Sequence, residues 1–230
     1  MHITHRSRLF GIALAMVAGL ALSVARAQLV APGGTMGATV GVPGTPGATR
    51  AMDLESAMRI RKLPRLNSRE WLQRTPQMFA GTSRSRAREW GVFEVNFDTA
   101  PDWIDELVVT FTVMLHSNDR EMAEQPFSFF RVTSRFIDVI KGNNKTVSAV
   151  MLPSALQRYG RPIGFVVEFS INGQVVAVES TVTEKFLEDK WWENPNIVDS
   201  PKTVKREGYL LERAKTPFGF VNIDENEVSR

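Results

Sequence analysis

The dipeptide Asn172-Gly173 separates two runs of alternating apolar residues between Phe165 and Val182, and it narrows the possible folds more than any other feature of the chain. Asn-Gly is the preferred centre of a two-residue type I′ turn, whose twist matches that of the strands it joins. The turn predicts a register in which Ile171 faces Gln174, Phe169 faces Val176 and Val167 faces Val178. Large apolar side chains then share one face while Glu168 and Ala177 take the other. Such a hairpin commits this region to an antiparallel sheet.

The same period of two recurs upstream. Phe93, Val95 and Phe97 fall on one face of a strand, and Leu107, Val109, Phe111, Val113 and Leu115 fall on one face of another. Asp98 to Glu106, with Pro101 and several acids, reads as the turn of a hairpin between them. A second hairpin is expected where Gly142-Asn143-Asn144 separates Phe129 to Ile140 from Lys145 to Leu152, since these residues tolerate positive φ. The apolar parity slips between Phe130, Val132 and Ile137, Val139, and a bulge near Ser134 is the expected cause. Pro153 to Tyr159 reads as one or two helical turns, and Thr203 to Arg213 as a final strand or strands. The spacing of Phe186, Leu187, Trp191 and Trp192 approximates a helix without deciding for one.

About seven short strands with turn residues between them, and no alternation of strands with helices, predict a mainly β fold. The expected architecture is an antiparallel immunoglobulin-like β-sandwich with short helical connectors over residues 89–215. An eight-stranded barrel is the alternative. The chain contains no cysteine, so disulfides, thiolate nucleophiles and Cys-ligated zinc play no part, and the domain must fold on its apolar core.

Residues 1–27 read as a secretion leader. Arg6 and Arg8 precede the apolar run Leu9 to Val24, and Ala25-Arg26-Ala27 offers small residues at a cleavage site. The apolar run is slightly short of the roughly 17 to 25 residues that span a bilayer. Cleavage is expected, with a retained membrane tether as the alternative. The expected location is the periplasm or outer cell surface. Residues 28–50 form a Gly/Pro-rich linker, with a reach of about 25 Å if it behaves as a flexible coil. Residues 51–88 are a basic extension that can supply first strands or a short helix, and 216–230 are a tail.

Charge is unevenly placed. The chain has 28 Lys plus Arg and 25 Asp plus Glu. Without the leader's Arg6, Arg8 and Arg26 the two counts are equal. Residues 28–90 then hold 10 basic and 4 acidic groups, and residues 91–230 hold 15 and 21. Packing of the basic segment on the acidic body is one expectation. The other is a surface, represented by Arg84, Arg86 and Arg88, that meets an acidic protein, an acidic polysaccharide or anionic lipid. Nucleic acid is a poor partner for an exported chain.

Catalytic groupings are sparse. His116 is the one imidazole outside the leader, and its sequence neighbours Ser117 and Asp119 are too close along the chain to form a triad with it. Asp98, Asp102, Asp105 and Glu106 follow no calcium-loop spacing, although a carboxylate pair for hydrolysis is a possibility that only three dimensions decide. No phosphate-cradling glycine motif occurs. No cofactor or metal is expected, and the chain reads as a non-enzyme. Trp191 and Trp192 are adjacent, so their rings diverge and at least one is expected near the surface. There it can stack on a sugar or anchor a protein interface.

Trp90-x-x-Phe93-x-Val95-x-Phe97, Pro101-Asp-Trp-Ile-Asp-Glu-Leu107, and Leu210-Leu-Glu-Arg213 before Thr216-Pro-Phe218 resemble exported immunoglobulin-like proteins associated with bacterial type IV pilus systems. The resemblance covers roughly Trp90 to Asp224. It implies a non-enzymatic interaction protein of pilus assembly or envelope organisation, whose partner is an envelope or pilus-system protein. A surface adhesin or carbohydrate-binding module is the alternative, and a carboxylate- or metal-dependent hydrolase the third reading.

Overall fold

The structure, a computed structural model, describes residues 56–76 and 88–220. Within these residues the chain is mainly β, with β1 (Met58–Lys62), β2 (Leu72–Arg74), β3 (Glu89–His116), β4 (Phe127–Met151), β5 (Arg161–Ile171), β6 (Gln174–Val182), β7 (Thr203–Arg206) and β8 (Leu210–Glu212) in one sheet. Two short helices, α1 (Pro153–Tyr159) and α2 (Pro195–Val198), connect them. The central path runs β6-β5-β3-β4-β7, with β1 and β2 on the first half of β3 and β8 on the end of β4.

The two expected upstream hairpins are absent. Residues 92–97 and 107–115 belong to one 28-residue strand, β3. Residues 129–140 and 145–151 likewise belong to the 25-residue β4. These two strands pair antiparallel along almost their whole lengths, from Gly91↔Met151 to His116↔Phe127. The acids and Pro101 mark a bend rather than a reversal, and the register shifts at Phe97/Thr99 and Thr99/Trp103. Each strand gains a continuous partner on the other, so neither needs to turn back on itself.

The bend makes two layers from one sheet. Phe93 and Phe97, on the first half of β3, pack on Phe165 and Phe169 of β5 at centroid distances of 5.6 and 5.0 Å. β5 itself pairs with the second half of β3, from Leu107↔Ile171 to His116↔Arg161. The first half of β3 therefore lies over the second, and Val95, Val109, Phe111, Val113 and Phe130 fill the space between as fully buried core. This is a sandwich-like arrangement made by folding long strands. β6 and β7 end the central path on opposite sides, and among the described residues no pairing joins them to close a barrel.

The parity slip in β4 also has a different cause from the expected one. Ser134 pairs in unbroken register with Val109. The change of face comes between Phe136 and Val139, where Asp138 adopts φ 57°. At the Asn172-Gly173 turn both residues have positive φ, 52° and 77°, as a type I′ turn requires. Ile171 faces Gln174 as expected, but the register then shifts, and Phe169 meets Ala177 while Val167 meets Glu179. The extra residue lets Val176 and Ala177, consecutive in the chain, both pack on the core, while Val175 and Val178 are exposed. A bulge of this kind cannot be read from alternation, because it breaks it.

One pair in the sheet is parallel. β7 runs beside the start of β4, from Phe127↔Thr203 to Phe130↔Arg206. Residues 183–202 carry the chain from β6 at one end of the central path to β7 at the other, and their Leu187, Trp191, Trp192 and Val198 cover the outer face of β3, β4 and β5. The 216–220 segment is not peripheral: Phe218 is buried with Val92 and Val150.

Candidate functional site: an arginine-rimmed groove

The residues singled out in the sequence have different fates. Trp191 and Trp192 are 0% and 8% exposed, which corrects the expectation of a ring at the surface. Their rings do diverge, by 87°, but the sheet lies on one side and α2 on the other. Trp191 packs edge-on to Phe129, and the pair shares a cluster with Met114, Ile163, Val166, Leu187 and Val198. Gly164 is what admits Trp191: a Cβ there would sit 2.8 Å from the indole. Trp191 is fully enclosed, and Trp192, although it lines a pocket of about 360 Å³ with Arg131, Lys205 and Arg206, is itself only slightly exposed.

His116 is half-buried and stacks on Phe127 at 5.0 Å. The Ser117 hydroxyl accepts from the Asp119 backbone N–H, and the Asp119 carboxylate accepts from that of Glu121. Neither contact serves the imidazole. The acids of the bend disperse in the same way. Asp98 binds Arg61, Asp102 lies 3.6 Å from Lys141, Glu106 is 2.9 Å from Arg135, and Asp105 accepts from the Trp103 indole N–H. Each carboxylate has its own partner and they do not converge. Among the described residues no group of three or more His, Asp or Glu side chains is placed to hold a metal ion.

Asp98 is the most engaged of these acids. It accepts the Asn144 backbone N–H at 2.8 Å as well as the Arg61 guanidinium. The Asn144 hydrogen bond first, and Arg61 second, hold its carboxyl below the ordinary 3.8, against a smaller opposing effect of burial. The register explains the meeting, since β1 pairs Ile60 with Phe97 and Arg59 with Asp98. Part of the basic stretch thus packs on the acidic body as expected.

The remainder of that stretch builds a groove. β2 pairs with the start of β3 through Leu72↔Gly91, Gln73↔Trp90 and Arg74↔Glu89. Trp71, just before β2, stacks on Phe93 of the core at 5.9 Å with the rings 8° from parallel. Opposite stands α1, which begins with Pro153 at its first turn and buries Pro153, Ala155 and Tyr159. Between β2 and α1 is an open groove of about 800 Å³. Trp71, Leu72, Pro153 and Leu156 contribute its apolar surface, and Arg74, Arg88 and Arg161 its positive charge.

The charges of the groove are unequally committed. Arg161 bridges to Glu184 at 2.9 Å, and Glu89, the one carboxylate among the described residues of the lining, bridges to Arg69 at 3.2 Å. Arg74 and Arg88 are exposed and form no ion pair with a described residue. Of the three arginines named in the sequence, Arg88 lies in this lining, whereas Arg84 and Arg86 lie outside the described residues. Sequence reasoning missed Arg74, Arg161 and Trp71 as neighbours of Arg88. The one available signal was the basic run itself, which includes Arg74 but does not reach Arg161.

A family model matches residues 67–230, a span that takes in β2 and every element after it. No curated protein matches the chain. A crystal structure from Akkermansia muciniphila is similar with a TM-score of 0.60 and 22% sequence identity, covering 76% of this chain and 93% of that one. At that identity the likeness concerns the fold.

Proposed function

The chain belongs to the family whose model matches residues 67–230, and we propose that it is a non-enzymatic interaction protein of the cell envelope, associated with pilus assembly or envelope organisation. The observation that carries this reading is the groove. Among the described residues its lining offers guanidinium groups, one amide and apolar surface, while its one carboxylate is held by Arg69. Such a lining binds an anionic partner and offers no group poised for proton transfer or nucleophilic attack. The leader-like residues 1–27 support an exported location, and the sequence resemblance to type IV pilus-associated proteins supports the system in which it acts.

The test is affinity capture from gently extracted envelopes with the exported chain as bait, beside an Arg74→Ala/Arg88→Ala variant. The expected result is recovery of envelope or pilus-system proteins by the wild type and their loss from the variant. Recovery of the same proteins by both, or of none by either, counts against the groove as the partner site.

A further inference from the structure

Resting on the reading of the groove as the partner site, we infer that its occupant is an acidic peptide segment of another protein, with carboxylates spaced around an apolar side chain. Such a segment complements the groove in charge and in shape. Arg161 and Glu89 are already engaged with Glu184 and Arg69, so the unspent charge of the lining is that of Arg74 and Arg88. A guanidinium presents a planar fork of donors that matches a carboxylate. Two such forks beside an apolar floor ask for a ligand that brings carboxylates and an apolar group together.

That requirement separates the candidate anions. The floor is the Trp71 indole, packed on Phe93 beneath it, together with Leu72, Pro153 and Leu156. An acidic polysaccharide supplies carboxylates or sulfates but no aliphatic side chain to cover Leu156. A membrane of anionic lipid presents a broad surface, whereas this site is a groove of about 800 Å³ bounded by β2 and α1, a volume that takes a few side chains. A peptide satisfies both halves of the lining at once. An apolar residue sits between Trp71 and Leu156 and shields the ion pairs at Arg74 and Arg88 from water, which strengthens them.

The experiment is titration of the exported chain with a fluorescent peptide of alternating Glu and Leu, read by anisotropy. Saturable binding is expected, and it weakens by about tenfold or more in Arg74→Ala/Arg88→Ala, two charged hydrogen-bonding groups being lost. It also weakens as salt rises from about 50 to about 500 mM, as screened charges require. Replacing Glu by Gln in the peptide, or Leu by Ser, lowers the affinity in each case. An unchanged melting temperature in the arginine variant assigns the loss to the groove. Equal binding of the Gln peptide overturns the inference. So does binding of heparin or phosphatidylglycerol vesicles through Arg74 and Arg88 when the peptide does not bind. If the variant loses its envelope partners yet the peptide never binds, the groove remains the partner site and the acidic peptide is rejected. If the variant keeps its partners, the groove reading itself falls.

Discussion

Arg61 and Arg74 belong to the same basic stretch and end in opposite circumstances. Arg61 lies in β1, which runs along β3 at the bend, and its guanidinium meets Asp98. Arg74 lies in β2, which runs along the start of β3, where the nearby acid is Glu89 and Arg69 already bridges to it. The two arginines are equivalent in composition and differ in the strand register that carries them. One is part of the structure at the fold of the sheet, and the other faces an open groove with its charge unspent. A surplus of basic residues is therefore not one property: pairing divides it into a share that holds the protein together and a share available to a partner.

The largest effect on stability is expected beneath the groove. Trp71→Ala removes a buried ring stacked on Phe93 and should cost about 3 to 5 kcal/mol, measured by denaturant unfolding. A cost near zero would mean that the groove has no rigid floor and that the contrast between its two halves is overstated.

Asp98→Asn probes the structural arginine. Because the Asp98 carboxyl is held below its ordinary value, its contribution to stability is complete above about pH 4 and is lost as pH falls through the lowered value. The variant should melt below the wild type at neutral pH, and the gap should close in acid as the wild-type carboxyl is protonated. Parallel pH profiles for the two proteins would show that Arg61 and Asn144 do no more than accompany the fold.

Two smaller effects test the exposed share. Glu89→Ala breaks a bridge between side chains that are 79% and 49% exposed and should change stability by about 0 to 1 kcal/mol. It also removes the one negative charge among the described residues of the groove, so binding of an acidic peptide should strengthen. Arg74→Ala/Arg88→Ala should lie within about 0.5 kcal/mol of the wild type in unfolding while abolishing capture of partners. A large loss of stability in this variant would place these arginines with Arg61 and remove the distinction.

Much of the fold was legible because strand alternation is a local rule. The inward faces of 93–97 and 107–115, the turn at Asn172-Gly173 and the mainly β class all follow from period and turn chemistry. Trp191 and Trp192 were misplaced for an equally physical reason. Adjacent rings do diverge, but that settles their exposure only if one side of the segment is open to water, and here Gly164, Phe129 and Val198 help to bury both rings. Of the candidate site, Arg88 was legible from the basic run. Its association with Trp71, Leu156 and Arg161 was not, since these come from the approach of β2, α1 and β5, which no local pattern records.

By itself the sequence determined which side chains alternate, where one hairpin must turn, and that basic and acidic residues are segregated along the chain. The tertiary structure decided that the paired runs of 89–116 and 127–151 are two long bent strands rather than four short ones. It also placed a bulge where Val176 and Ala177 both turn inward, and chose which arginines are spent. The reason is that alternation states a residue's face relative to its own strand and nothing about the next strand. Whether a chain reverses or bends, and whether a charge finds its opposite, depends on the register of segments far apart in sequence.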